Sequence, residues 1–177
     1  MSEPAEASLP DFIRAIPDFP KPGIIFRDIT PLLLAPKAFR AAVLKIADHF
    51  RSHRIDAVAA VEARGFLFAA PVALELNARL VPIRKPGKLP YKTLSCTYDL
   101  EYGTDTLEIH ADAIPRAANV LVVDDLLATG GTVEACCLLV EKAGGNVVAC
   151  AFLIELAALG GAERIARYEK LSLITYE

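Results

Sequence analysis

Residues 120–132, reading Val-Leu-Val-Val-Asp-Asp-Leu-Leu-Ala-Thr-Gly-Gly-Thr, restrict the possible fold more than any other part of this chain. Residues 120–123 are a continuous apolar run, as expected of a strand covered on both faces of a parallel sheet. Residues 133–140 resume the apolar pattern at helical spacing, so the segment reads as strand, loop and helix. In the loop, Ala128, Thr129, Gly130, Gly131 and Thr132 carry little side-chain bulk. Their backbone N–H groups can therefore close on a phosphate at the positive end of the helix dipole. Asp124 and Asp125, with Leu126 beside them, stand just upstream, where carboxylates accept hydrogen bonds from vicinal sugar hydroxyls and repel phosphate. The segment thus sorts sugar from phosphate by charge, although two aspartates capping a plain βα turn would look similar. Neither G-x-x-x-x-G-K-[ST] nor G-x-G-x-x-G occurs, which removes the P-loop and dinucleotide readings.

The chain has 177 residues, 54% of them hydrophobic, enough for one α/β domain with a substantial core. A net charge of −3 argues against nucleic acid as the main partner, so an anionic substrate must be held by local cations, helix termini and a bound metal. Apolar runs are interrupted well short of the roughly 20 residues that span a bilayer, and the acidic start lacks a signal-peptide layout. No membrane association and a cytoplasmic location are expected. Cys96, Cys136, Cys137 and Cys150 fit no C-x-x-C or zinc spacing and read as small buried hydrophobes in a reducing compartment.

The periodicity predicts a helix over 9–16, a proline-rich loop over 17–23, and a second helix starting near Pro36 with Phe39, Val43, Ile46, Ala47 and Phe50 on one face. Strand 57–61, helix 65–76 and strand 80–84 follow in βαβ order, the signature of a parallel sheet. Residues 85–92 hold three lysines, two prolines and a glycine and precede two strand-like runs near 93–98 and 106–110, which suggests a flap on a hairpin. After the 120–132 unit come a strand at 147–154, a short helix near 162–167 and a last strand at 171–175. The expected organisation is a single domain over 1–177, with an N-terminal helix and hood at 1–35 and a flap at 85–105.

The strand, Asp-Asp and Thr-Gly-Gly-Thr pattern resembles the 5-phosphoribosyl-1-diphosphate (PRPP) motif of type I phosphoribosyltransferases. Four further stretches resemble the adenine phosphoribosyltransferases: Pro17-Asp18-Phe19-Pro20 with residues 23–31, Glu62-Ala63-Arg64-Gly65-Phe66, residues 83–90 (Ile-Arg-Lys-Pro-Gly-Lys-Leu-Pro), and Tyr98-Asp99-Leu100-Glu101-Tyr102-Gly103. The resemblance runs from about residue 16 to 159. It implies the type I phosphoribosyltransferase fold, a mostly parallel sheet flanked by helices with a hairpin flap and a small N-terminal hood. It implies transfer of the phosphoribosyl group from PRPP to N9 of adenine, giving AMP and diphosphate.

By the same resemblance, Ile25, Phe26 and Arg27 sandwich and read adenine and Leu156 closes the slot, although each apolar side chain alone would also suit plain core packing. Arg64, Arg84, Lys85 and Lys88 would grip the diphosphate, with part of this cluster reaching a neighbouring subunit, so a homodimer is implied. Glu101 is placed near purine N7 as a proton-handling group; spacing alone equally allows a surface hairpin charge. Arg64, Glu101, Asp124 and Asp125 form the catalytic set. Residues 128–132 and Leu126 complete the PRPP and AMP site. Magnesium would be held mainly through PRPP and water rather than by protein ligands. The alternatives are a 6-oxopurine or xanthine phosphoribosyltransferase, or a nucleotide-sensing regulator, for which the chain offers no DNA-binding segment.

Overall fold

The computed structural model describes residues 8–99 and 103–177, and these fall into two compact units, one within 1–44 and one over 45–177. In the first, a 3₁₀ turn at Leu9–Phe12 is capped by Ser8, whose backbone N–H donates to Asp11 Oδ2 at 2.7 Å. Strand β1 (Arg14–Pro17) then pairs antiparallel with β2 (Ile25–Asp28), placing Ile16 opposite Phe26. This corrects the expected helix over 9–16. Pro17 disfavours a helical Ile16, and the ladder to 25–28 satisfies backbone groups that a single amphipathic turn could not. The 17–23 loop is held by Asp18, at φ 56°, whose carboxylate accepts the Gly23 N–H at 2.7 Å. The short helix α1 (Thr30–Leu33) follows, its first N–H bonded to Asp28 Oδ1 at 2.9 Å. Helix α2 (Pro36–Phe50), which begins in the first unit and ends in the second, starts where expected and buries Val43, Ile46, Ala47 and Phe50 of the expected face together with Ala42, while Phe39 is half-buried.

The second unit is built on five parallel strands: β3 (Ala57–Val61), β4 (Arg79–Ile83), β7 (Asn119–Leu127), β8 (Asn146–Leu156) and β9 (Glu169–Tyr176), in the order β4-β3-β7-β8-β9. Every residue of β3 is buried, as is each of Val120, Leu121, Val122 and Val123 in β7. Continuous apolar runs therefore form the middle of the sheet, where alternation would leave one face dry and polar. Alternate residues Ala57, Ala59, Val61, Val120 and Val122 join a core with Val133, Cys136, Leu139 and Val140 of α4 (Gly131–Lys142). Ala60 points the other way, toward Gly65 at the start of α3 (Gly65–Glu75).

An antiparallel hairpin, β5 (Thr93–Asp99) with β6 (Thr104–His110), contributes Leu107 and Ile109 to the same core and bridges to the sheet unit through Arg84 and Glu108. A last turn of helix, α5 (Gly161–Arg164), precedes β9. From β3 the chain leaves through α3 to the edge strand β4, while from β7 it leaves through α4 toward β8 on the other side. The connections diverge at the β3/β7 boundary, and in such sheets the crevice beyond the carboxyl ends of the diverging strands is where ligands bind.

Candidate active site

A cavity of about 440 Å³ occupies that crevice, lined by residues 61–64, 124–126 and 128–133. β7 carries Asp124 and Asp125 to its wall. Asp125 is buried and receives Arg64 Nε at 2.9 Å on Oδ2, so the β3–α3 loop is tied by charge to the β7 strand. Asp124 Oδ1 accepts the backbone N–H of Asp125 at 2.8 Å. Burial pushes the Asp124 carboxyl well above its ordinary value, and the adjacent Asp125 charge adds to the shift. Burial also raises Asp125, with the Arg64 guanidinium opposing it. Gly65 is demanded by space. A side chain there would put its Cβ 2.8 Å from Asp124 Oδ1 and 3.3 Å from the Val123 carbonyl, so α3 can approach β7 only without one. The Glu62–Ala63 peptide is cis.

Beyond the carboxylates, Gly130 sits at φ 80°, ψ −6° as the residue that caps α4, and Gly131 begins the helix. No Ser, Thr, Asp or Asn side chain occupies the cap position, and the first residues of α4 line the cavity, an arrangement suited to receiving an anion. Thr132 in the first turn lies 3.4 Å from the Tyr98 hydroxyl, which also donates to Asp105 Oδ2 at 3.3 Å. Lys85 Nζ makes an ion pair with the same Asp105. A chain of polar contacts therefore joins the loop after β4, through the hairpin, to the start of α4.

Glu62, on the opposite wall, gathers the basic loop. Its Oε2 receives Arg84 at 3.0 Å and Lys88 Nζ at 2.9 Å, and its Oε1 accepts the Lys85 N–H at 2.7 Å. Burial alone would raise its pKa, but the Lys85 N–H, the Lys88 ammonium and the Arg84 guanidinium outweigh burial and hold it down at about 2. The crevice is thus lined by Arg64, a carboxylate pair and a helix start with no capping side chain, and its lining residue Glu62 draws Arg84 and Lys88 to it.

Residues 31–174 match the phosphoribosyl transferase domain family. The chain is 54% identical to the adenine phosphoribosyltransferase of Maridesulfovibrio salexigens, covering 94% of this chain and 98% of that protein. The chain belongs to the adenine phosphoribosyltransferase family. It is also 54% identical to the adenine phosphoribosyltransferase of Kosmotoga olearia over 96% of this chain and 99% of that one. The crystal structure of the adenine phosphoribosyltransferase from Thermoanaerobacter pseudethanolicus superposes with a TM-score of 0.92 at 52% identity, covering 95% of this chain and 98% of that one. That from Saccharomyces cerevisiae, crystallised with adenine and an iminoaltritol bisphosphate, gives a TM-score of 0.88 at 37% identity, covering 93% and 96% of the two chains. The type I phosphoribosyltransferase fold and the glycosyltransferase class follow directly.

Of the residues singled out in the sequence of this adenine phosphoribosyltransferase family member, the crevice brings together Arg64, Asp124, Asp125, Leu126, Ala128, Thr129, Gly130, Gly131 and Thr132. Arg84, Lys85 and Lys88 are gathered on Glu62, which lines it. Ile25, Phe26 and Arg27 lie together on β2, with Ile25 exposed and the Phe26 ring packed edge-on against Phe19 at 5.1 Å, while Leu156 ends β8. Glu101 and Tyr102 lie outside the described residues. Sequence reasoning missed Glu62, Tyr98 and Asp105. Each stands within a stretch used for the family resemblance or beside it, but its partner is 7 to 34 positions away, which no local pattern records.

Proposed function

We infer that the protein transfers the 5-phosphoribosyl group of PRPP to N9 of adenine, releasing diphosphate and forming AMP. The observation that carries this reading is the crevice itself. Its lining offers carboxylate acceptors for sugar hydroxyls and N–H donors for a terminal phosphate, and Arg64 with the basic residues gathered on Glu62 offers charge for a leaving diphosphate. Asp124 and Asp125 accept the ribose hydroxyls and ease the positive charge that grows on the ring as the C1–O bond stretches. The backbone N–H groups of 128–132, with the Thr129 hydroxyl, hold the 5-phosphate and convert that remote binding into alignment of C1 with N9. Arg64, Arg84, Lys85 and Lys88 exchange their present carboxylate partners for the diphosphate, whose negative charge is largest as it departs.

Ile25, Phe26 and Arg27 read the base, and Glu101 handles the proton at N7. Residues 1–35 act as the hood and 85–105 as the flap. Among the described residues no three His, Cys, Asp or Glu side chains converge as a metal cage. A hydrated magnesium ion carried by the diphosphate would fit this donor set, and the residues that would help hold it are Asp124 and Asp125, whose oxygens suit a hard cation. When bound, the ion neutralises the leaving diphosphate.

Exposed leucines support a homodimer. Leu67 and Leu74, one heptad apart on α3, are 43% and 82% exposed, and Leu80 on the edge strand β4 is 41% exposed. The four free thiols suit the cytoplasm, and no helix among the described residues is long and apolar enough to cross a membrane.

One assay tests the reading: PRPP offered with adenine, hypoxanthine, guanine or xanthine. Adenine should be favoured in kcat/KM by at least about 100-fold, because a site that pairs with a 6-amino group leaves its polar groups unmatched by a 6-oxo base. Equal or faster consumption of a 6-oxopurine or xanthine would establish the competing specificity, which the names of the most similar relatives do not favour.

A further inference from the structure

The phosphate-receiving loop rests on a segment outside the cavity, the turn at 160–164 between β8 and β9. Gly161 is the point of contact. A methyl group there would overlap the carbonyl oxygen of Ala128 and stand 3.0 Å from both the Ala128 carbonyl carbon and the Gly130 nitrogen. These are backbone atoms and cannot swing aside. The approach is reciprocal, since a Cβ on Gly130 would lie 2.8 Å from the Gly161 carbonyl oxygen, 3.2 Å from its Cα and 3.3 Å from Arg164 Cβ. Gly130 needs to be glycine for its left-handed φ of 80°, whereas Gly161 has no such dihedral and is demanded by space alone. A second tie lies one turn further on. Arg164 Nε donates to Glu134 Oε2 at 2.5 Å, and Glu134 is in the first turn of α4. The 160–164 turn therefore holds the loop by backbone contact and the helix start by an ion pair.

We propose that Gly161, backed by Arg164, is a positioning residue for the reaction: it sets the curvature of the 128–132 loop so that its N–H groups converge on the 5-phosphate. This rests on the assignment of the 5-phosphate to that loop. Gly161 touches no substrate. Its role is exerted through the loop, where a displacement of about 1 Å is enough to misalign a bound group and cost about 100-fold in rate.

The test is calorimetric titration with ribose 5-phosphate and, separately, with diphosphate, on the wild-type protein and on Gly161→Ala, Arg164→Ala and Thr129→Val. Gly161→Ala should weaken ribose 5-phosphate at least about 10-fold and leave diphosphate, which binds at the basic wall, within about 2-fold. A folded Gly161→Ala protein that binds ribose 5-phosphate normally, or that loses both ligands alike as a general loosening would cause, overturns the proposal. Should Gly161→Ala not fold, Arg164→Ala decides, because it removes only the tie to Glu134. A selective loss of about 2- to 5-fold for ribose 5-phosphate supports the proposal and undiminished affinity refutes it. Thr129→Val separates the two levels. If it leaves ribose 5-phosphate affinity intact, the phosphate assignment fails and the positioning role falls with it; if it weakens binding while Gly161→Ala does not, only the positioning role fails.

Discussion

Asp124 shows how a single residue carries both a cost and a use. A carboxyl whose pKa is raised in the folded state binds protons there that the unfolded chain has already released, so it lowers stability as pH rises above its ordinary value of 3.8. Asp124→Asn removes that loss while keeping an oxygen for the Asp125 N–H. The ligand-free variant should melt higher than wild type at pH 7, by about 2–4 °C for each ~1 kcal/mol relieved, and the difference should shrink toward pH 4. Its turnover should fall at least about 100-fold, the usual loss when one group aimed at transition-state charge is removed. Thermal scans and a steady-state assay on one preparation check both halves; unchanged turnover would take Asp124 out of the reaction. That two aspartates follow the apolar run of β7 was plain in the sequence because the pattern is local. Their unequal burial and the Arg64 partner of Asp125 were not, since residue 64 is distant along the chain and meets β7 only through sheet pairing.

At the level of elements, legibility followed the range of the interactions that decide each one. β3, β7, α2, α4 and the hairpin were readable because runs of buried side chains, helical periodicity and glycine or proline punctuation are local. The 9–16 segment misled because its apolar spacing suits a helix, while the ladder from Ile16 to Phe26 that decides the matter lies ten residues on. The joint between the β3–α3 loop and the loop after β4 is the element-scale counterpart of Asp124, with the opposite sign. Glu62 has a pKa of about 2 against an ordinary 4.5, so its contacts with Arg84, Lys88 and the Lys85 N–H stabilise the fold above pH 4.5 and are lost as pH falls toward 2. Glu62→Gln should therefore lower stability at pH 7 and flatten the acid-side decline between those values. Denaturant titrations across pH check this, and an acid limb identical to wild type would mean that the joint contributes nothing.

On the scale of the whole molecule, the order β4-β3-β7-β8-β9 explains why the site lies where it does. Connections diverge between β3 and β7; the loop after β3 supplies Arg64, while the end of β7 supplies Asp125 and the loop after it leads into the helix start. The sequence announced parallel βαβ units but not strand order, because order depends on which strands pair across long intervals. Assembly belongs to this scale too. Leu74→Glu places a charge in the exposed apolar face of α3 and should weaken a homodimer at least about 10-fold in sedimentation equilibrium; a wild-type protein that sediments as a monomer at micromolar concentration would remove the dimer. The crevice itself is tested most directly by a crystal structure of the protein with AMP. The 5-phosphate should lie within hydrogen-bond distance of the 128–132 backbone N–H groups, with the ribose hydroxyls on Asp124 and Asp125. A phosphate bound anywhere else, or a ribose turned away from both carboxylates, would contradict the reading of this site.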